Sequence, residues 1–348
     1  MSNSTSQRHS VHNGGTGNRE IRLKRNPVGL PEESDFELVE TEIPRANDGE
    51  VLVRNRYMSV DPYMRGRIAK APSYADNWKP GETMRGGCVG EVVESRDSRF
   101  SPGDFVVGER GWRDYYTAPA GEILRVDPDM APLQAYLGVL GMPGLTAYVG
   151  LLKLAGAEKG ETVYVSAAAG AVGSLVCQLA RLEGCRVVAS AGSDAKIAWL
   201  RDELGVDSAF NYKNVEDLSG ELATRSPEGL HIYFDNVGTT QLEAAIDTMR
   251  MHGRILCCGM ISAYNAVEPP AAPRNLFQIV GKRLSLRGFI VRDHQEHYPE
   301  FISKIGPLVR SGEIKYRETL VDGLENAPSA FISLFHGVNI GKMVVRVG

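Results

Sequence analysis

From Glu20 to about Asp129 the apolar positions fall in short runs broken by Gly, Pro and Asp: Glu50–Tyr57, Gly90–Val93, Asp104–Val107 and Gly121–Val126. Short strands spaced by turn signals predict a β-rich domain, and Pro102-Gly103-Asp104 is one such turn leading into a strand. From about Leu133 strand-like runs alternate with stretches of helical period. The predicted strands are Thr162–Ser166, Arg186–Ser190, Ala209–Asn211, Ile232–Asp235, Arg254–Cys258 and Leu284–Phe289. Between them the pattern predicts helices over Val172–Glu183 and Asp194–Leu204, and others starting near Val215 and Thr240. Six buried strands separated by helices imply an α/β fold built on a doubly wound parallel sheet. A helix near Phe301–Ser311 precedes a return to the β pattern over Leu320–Gly348, which is expected to rejoin the first domain. Glu268–Pro273, with three prolines, interrupts the second domain and is expected to be a loop.

The 348 residues suffice for two domains, here 19–132 with 312–348, and 133–311. Residues 1–18, rich in Ser, Asn, Gly and Thr and without an apolar secretory segment, are expected to form a disordered tail. A formal net charge of -4 argues against nucleic acid or an acidic membrane surface as partner, which leaves small molecules. No apolar run is long enough for a membrane-spanning helix. Five cysteines, an odd number in a chain too large to need staples, point to reduced thiols and the cytoplasm.

The chemistry concentrates behind the first strand of the second domain. Ala167-Ala168-Ala169-Gly170-Ala171-Val172-Gly173 follows Thr162–Ser166 and opens a helix, a dinucleotide-binding turn with Ala168 in the first glycine place. Gly170 lets backbone approach a pyrophosphate, Gly173 lets helix and strand pack closely, and the helix N-terminus presents unpaired N–H groups. The second strand ends in Ser190-Ala191-Gly192-Ser193, without the acid that holds an unphosphorylated ribose. Lys196, one turn into the next helix, can countercharge a 2′-phosphate, so the cofactor is expected to be NADP(H). Asp194 runs against this and is expected to serve the helix dipole.

The stretches Tyr57–Arg67, Gly141–Tyr148, Ser166–Gly173, Asp235–Gly238, Gly259–Asn265 and Gly337–Lys342 occur in an order that resembles one family. This is the zinc-free prostaglandin reductase, alkenal double-bond reductase and curcumin reductase branch of the medium-chain dehydrogenase/reductases. The resemblance covers essentially everything after residue 20. It implies a GroES-like β-rich domain built from both chain ends beside a Rossmann domain, with NADP(H) in the cleft between them and homodimers paired through Rossmann sheet edges. It also implies 2′-phosphate contacts at Ser193, Lys196 and Tyr212, and contacts along the ribose and nicotinamide at Asn236, Tyr264 and Asn339. Met142, Thr146, Ala168, Ala171, Val172, Gly259 and Phe289 complete the expected cofactor-binding set.

The Gly-His-Glu segment and four-cysteine lobe of the zinc-dependent relatives do not occur in the sequence. Cys257 and Cys258 are adjacent on a predicted strand and point to opposite faces, and His294 and His297 are expected to lack a third ligand, so no metal site is expected. Hydride addition to the β-carbon of an enal or enone leaves charge on the carbonyl oxygen, and a hydrogen-bond donor placed there stabilises it. Tyr264 is the expected donor, with Tyr63 and Tyr57 on the substrate side and water as the source of the α-carbon proton. Met142, the 268–273 loop and Phe289–Val291 are expected to wall a pocket for a small hydrophobic substrate. Two alternatives stand beside double-bond reduction: NADPH-dependent quinone reduction, and a non-catalytic NADPH-binding protein.

Overall fold

The computed structural model describes residues 17–348, so the expected tail lies outside the described residues except for its last two positions. The second of these corrects the expectation: Asn18 opens β1 (Asn18–Leu23), which pairs antiparallel with β2 (Phe36–Thr41). A polar residue can be buried there because its Oδ1 accepts the Tyr115 N–H at 2.8 Å.

A seven-stranded sheet follows, built from β3 (Glu50–Ser59), β4 (Cys88–Ser95), β5 (Phe105–Gly108), β6 (Tyr115–Pro119) and β7 (Leu124–Arg125). Its other two strands come from the chain's end. The short helix α1 (Met64–Arg67) hangs between β3 and β4, and α2 (Met142–Tyr148) leads out of the sheet. Val51, Val53, Met58, Val92 and Val106 point into a core closed by Trp112.

The parallel sheet then forms from β8 (Thr162–Val165), α3 (Ala171–Leu182), β9 (Arg186–Ala191), α4 (Asp194–Ala198), β10 (Ser208–Asn211), α5 (Leu218–Arg225) and β11 (Leu230–Asp235). It continues through α6 (Thr239–Thr248), β12 (Met249–Cys257), α7 (Gln278–Lys282), β13 (Ser285–Gly288) and α8 (Tyr298–Arg310). The strand order is β10-β9-β8-β11-β12-β13, all parallel. The order reverses at β8, so a crevice opens beyond the carboxyl ends of β8 and β11.

Alternation along these strands fills two cores. Val163, Val165, Val187, Ile232 and Phe234 pack with Leu175, Val176 and Leu179 of α3, while Tyr164, Val188, Tyr233 and Ile255 pack with Leu242 and Ala245 of α6. The sixth strand departs from the expectation of burial: all four residues of β13 are exposed, because it is the sheet edge.

After α8 the chain forms β14 (Glu318–Asp322), α9 (Ala327–His336) and β15 (Lys342–Arg346); β15 pairs with β3, so these strands join the seven-stranded sheet. The helix α9 is a correction to an all-β reading of Leu320–Gly348; its Ala330, Phe331 and Leu334 recur at helical spacing and are buried. At the head of β15, Gly341 has φ +69° and donates its N–H to Ala169 O at 2.8 Å, which sets the returning chain against the glycine turn.

Candidate active site

The glycine turn caps α3. Gly170 is its N-cap residue, and no side chain bonds the first-turn N–H groups. Gly173 has a structural role: a Cβ there would lie 2.6 Å from Ala167 O and 2.8 Å from Ala168 Cα. Gly170 differs, because an added Cβ would meet only Ala167 O, at 3.2 Å. Space on its far side and unpaired amides fit a pyrophosphate. Ala168 is fully buried with its N–H given to Ser190 O at 2.9 Å, so it shapes the turn, while Ala171 and Val172 form the first turn of the helix.

Beyond β9 the structure brings Ser193, Lys196 and Tyr212 together and adds a cation that sequence reasoning missed. Ser193 caps α4, its Oγ accepting the Lys196 N–H at 3.4 Å, and Lys196 Nζ donates to Gly337 O at 2.8 Å. A Cβ on Gly192 would lie 3.1 Å from Tyr212 Oη and 3.2 Å from Lys213 Cε, so both side chains close over this turn. Burial, and then the charge of Lys213, lower the Lys196 pKa from its ordinary value. Two ammonium groups that disfavour each other suit a 2′-phosphate, which would relieve the repulsion. Asp194 does not oppose this: its Oδ1 accepts from Asn211 Nδ2 at 2.9 Å. Lys213 had a sequence signal, as the residue after Tyr212 at the tip of the third strand.

At the carboxyl end of β11, Asp235 is buried, and its Oδ1 accepts from Tyr233 Oη (2.7 Å), Val237 N (2.9 Å) and Gly238 N (2.8 Å). This fixes the turn bearing Asn236, whose Nδ2 donates to Ser166 O at 2.8 Å. Burial raises the Asp235 pKa, with those hydrogen bonds opposing. On the returning chain, Asn339 Nδ2 donates to Gly341 O at 2.7 Å, two residues before the chain meets the glycine turn.

Tyr264 lies in the loop after β12. Its Oη accepts the Met260 N–H at 3.2 Å and would sit 3.0 Å from a Cβ on Gly259, so Gly259 makes room for the phenol. Accepting that bond leaves the hydroxyl proton free to donate. Burial raises the Tyr264 pKa, and Tyr74 and Asp235 lie close enough to add to the rise.

Tyr63 and Tyr264 share Tyr74 as a neighbour, while Tyr57 stands apart. Tyr63, its pKa pushed well up by burial, belongs with Asp61, Glu109, Tyr74 and Arg67 on the seven-stranded side. Tyr57 is on β3 with its ring against the larger core, a different cluster from that of Tyr63. Glu109 is exposed, yet its pKa is raised by the surrounding protein and by Asp61, with Arg292 and Arg67 opposing. Glu109, Tyr74 and Arg292 went unnoticed because only folding assembles them. Met142 is partly exposed at the start of α2, and Thr146 Oγ1 bonds back to Met142 O at 2.7 Å. Phe289 seats its ring edge-on against Phe234 (6.3 Å). Residues 268–273 are irregular and mostly exposed.

The expectation that His294 and His297 lack a third donor is corrected: Glu296 Oε1 lies 3.8 Å from His294 Nδ1 and 3.7 Å from His297 Nε2. Both distances exceed hydrogen-bond length. All five cysteines are free; β12 ends at Cys257, and Cys258 lies just beyond it.

Comparison with known proteins gives the chain's family. Residues 19–126 match the model of the N-terminal domain of oxidoreductases, and 171–306 match the zinc-binding dehydrogenase model. An NADP(+)-dependent 2-alkenal reductase of Nicotiana tabacum is 43% identical over 336 residues, covering 95% of this chain and 97% of that protein. Prostaglandin reductase 1 of Bos taurus is 45% identical over 328 residues, covering 93% and 97%. The crystal structure of CurA from Vibrio vulnificus in complex with NADPH superposes with a TM-score of 0.90 at 41% identity, covering 95% of this chain and 99% of that one. The chain belongs to the medium-chain dehydrogenase/reductases, in the zinc-free branch of the alkenal, prostaglandin and curcumin reductases.

Proposed function

We propose that this chain reduces the C=C bond of α,β-unsaturated aldehydes and ketones with NADPH. When bound, NADPH supplies the hydride that reaches the β-carbon. Gly170 and the first turn of α3 bind the pyrophosphate, and Ser193, Lys196, Tyr212 and Lys213 hold the 2′-phosphate. Asn236 and Asn339, each anchored by its own amide, border the ribose and nicotinamide. Tyr264 donates its phenolic proton in a hydrogen bond to the substrate carbonyl oxygen, where enolate charge develops, and water protonates the α-carbon. Met142, Phe289 and the 268–273 loop supply apolar walls. The observation that carries the reading is the Tyr264 phenol, kept protonated by burial and oriented by Met260 N–H above Gly259.

The test follows NADPH absorbance against a panel of enals, enones and benzoquinone, with Tyr264→Phe alongside. We expect turnover of the enals and enones, and a fall in kcat of about 100-fold in the variant, typical for the loss of one transition-state donor. An unchanged rate removes Tyr264 from the mechanism, and turnover of benzoquinone alone replaces the substrate class. The exposed β13 edge supports a homodimer formed by sheet pairing, which sedimentation can check. The free cysteines support a cytoplasmic location, and among the described residues no helix is long and apolar enough to cross a membrane.

A further inference from the structure

Arg65, in α1, is 5% exposed and has no carboxylate partner among the described ion pairs. Asp35, the carboxylate that acts on it from a distance, is bound by Arg25. Burying a guanidinium is costly unless its donors are satisfied, and here neutral oxygens satisfy Nε and Nη2. Nε donates to Asn265 Oδ1 at 3.0 Å and to Gly29 O at 3.2 Å; Nη2 donates to Gly29 O at 2.9 Å and to Pro27 O at 3.4 Å. Three segments therefore meet on one side chain: the 27–29 loop, α1 and the loop carrying Tyr264.

The bond to Asn265 spans 200 residues and joins the two sheets' domains one residue beyond Tyr264. The other anchors of the Tyr264 loop belong to its own side: Ser262 Oγ donates to Val237 O at 2.6 Å, and Met260 N–H reaches the phenol at 3.2 Å. The same crossing sets the 27–29 loop against Val267: a Cβ on Gly29 would lie 3.7 Å from Val267 Cγ2.

We infer that Arg65 is a positioning residue: by holding Asn265 across the two domains it fixes the loop that aims the Tyr264 hydroxyl. The inference rests on the role proposed above for Tyr264. A charge-assisted bond from a planar donor fixes direction as well as distance, which Lys cannot reproduce toward three oxygens.

The test uses the full-length enzyme with saturating NADPH and a long-chain enal. Asn265→Leu should lower kcat about tenfold through loss of alignment, with NADPH affinity and melting temperature unchanged. Asn265→Asp keeps an acceptor for the guanidinium and should stay within about threefold of the parent enzyme. Arg65→Lys should match Asn265→Leu, and the two together should be no slower than the worse single variant. Tyr264→Phe combined with Asn265→Leu should be no slower than Tyr264→Phe alone. If Tyr264→Phe is slow while Asn265→Leu keeps the parent kcat, the positioning role is overturned and the function stands. If Tyr264→Phe itself is unimpaired, the reading of Tyr264 fails and takes this inference with it. Equal damage from Asn265→Asp and Asn265→Leu, or losses matched in NADPH affinity and melting temperature, would reduce the contact to a structural one.

Discussion

Replacing Lys196 with Ala probes the cofactor assignment at its most selective point. A hydrogen bond to a charged group contributes about 1.5–3 kcal/mol. Lys196 is only partly buried and already donates to Gly337 O at 2.8 Å, so solvent screening and competition favour the lower half of that range. At about 1.4 kcal/mol per decade, NADPH affinity should fall about 10–30-fold. NADH, lacking the 2′-phosphate, should bind the variant within about twofold of the parent. Lys213→Ala should show the same selectivity with a smaller loss. The sign of the pH dependence follows from the lowered Lys196 pKa: the group loses its proton sooner than an ordinary lysine as pH rises. NADPH affinity should therefore decline on the alkaline side, and Lys196→Ala should flatten that decline. Fluorescence titration with both cofactors measures all of this. Equal weakening of NADPH and NADH would refute the phosphate contact.

Gly170→Ala should weaken NADPH binding at nearly unchanged melting temperature, because an added methyl group meets only Ala167 O. Gly173→Ala should instead destabilise the fold, at a cost of about 1–3 kcal/mol, since backbone lies 2.6 Å from its Cβ; thermal melts separate the two. Burial pushes the Glu318 carboxyl up to about 7, and its Oε1 has no hydrogen-bond partner. The folded state thus holds a proton that the unfolded chain releases near its ordinary value, so stability falls as pH rises toward 7. Glu318→Gln should remove that decline; melting temperatures from pH 5 to 8 that fall equally in both proteins would contradict it.

The parallel sheet was legible because each strand writes its own apolar run, and the crossover rules then fix the strand order. The glycine turn was legible as a local motif, whereas Tyr264 was singled out only by the family resemblance of Gly259–Asn265. What the sequence hid depends on partners far along the chain. Asn18 reads as tail because its burial depends on Tyr115, and β13 reads as buried because periodicity cannot tell an edge from a centre. Arg65 looks like a surface cation until Pro27, Gly29 and Asn265 surround it. Glu296 lay beside His297 in plain sight, but convergence of donor atoms is a property of the folded kink around His294.

Hydride transfer from NADPH to a carbon–carbon double bond leaves a distinctive position for an isotopic label. NADPH carrying deuterium at the transferable position, incubated with a simple enone and the enzyme, tests it directly by NMR of the product. The label should appear on the former β-carbon of a saturated ketone. Label on the carbinol carbon of an allylic alcohol, or none transferred, would contradict the account.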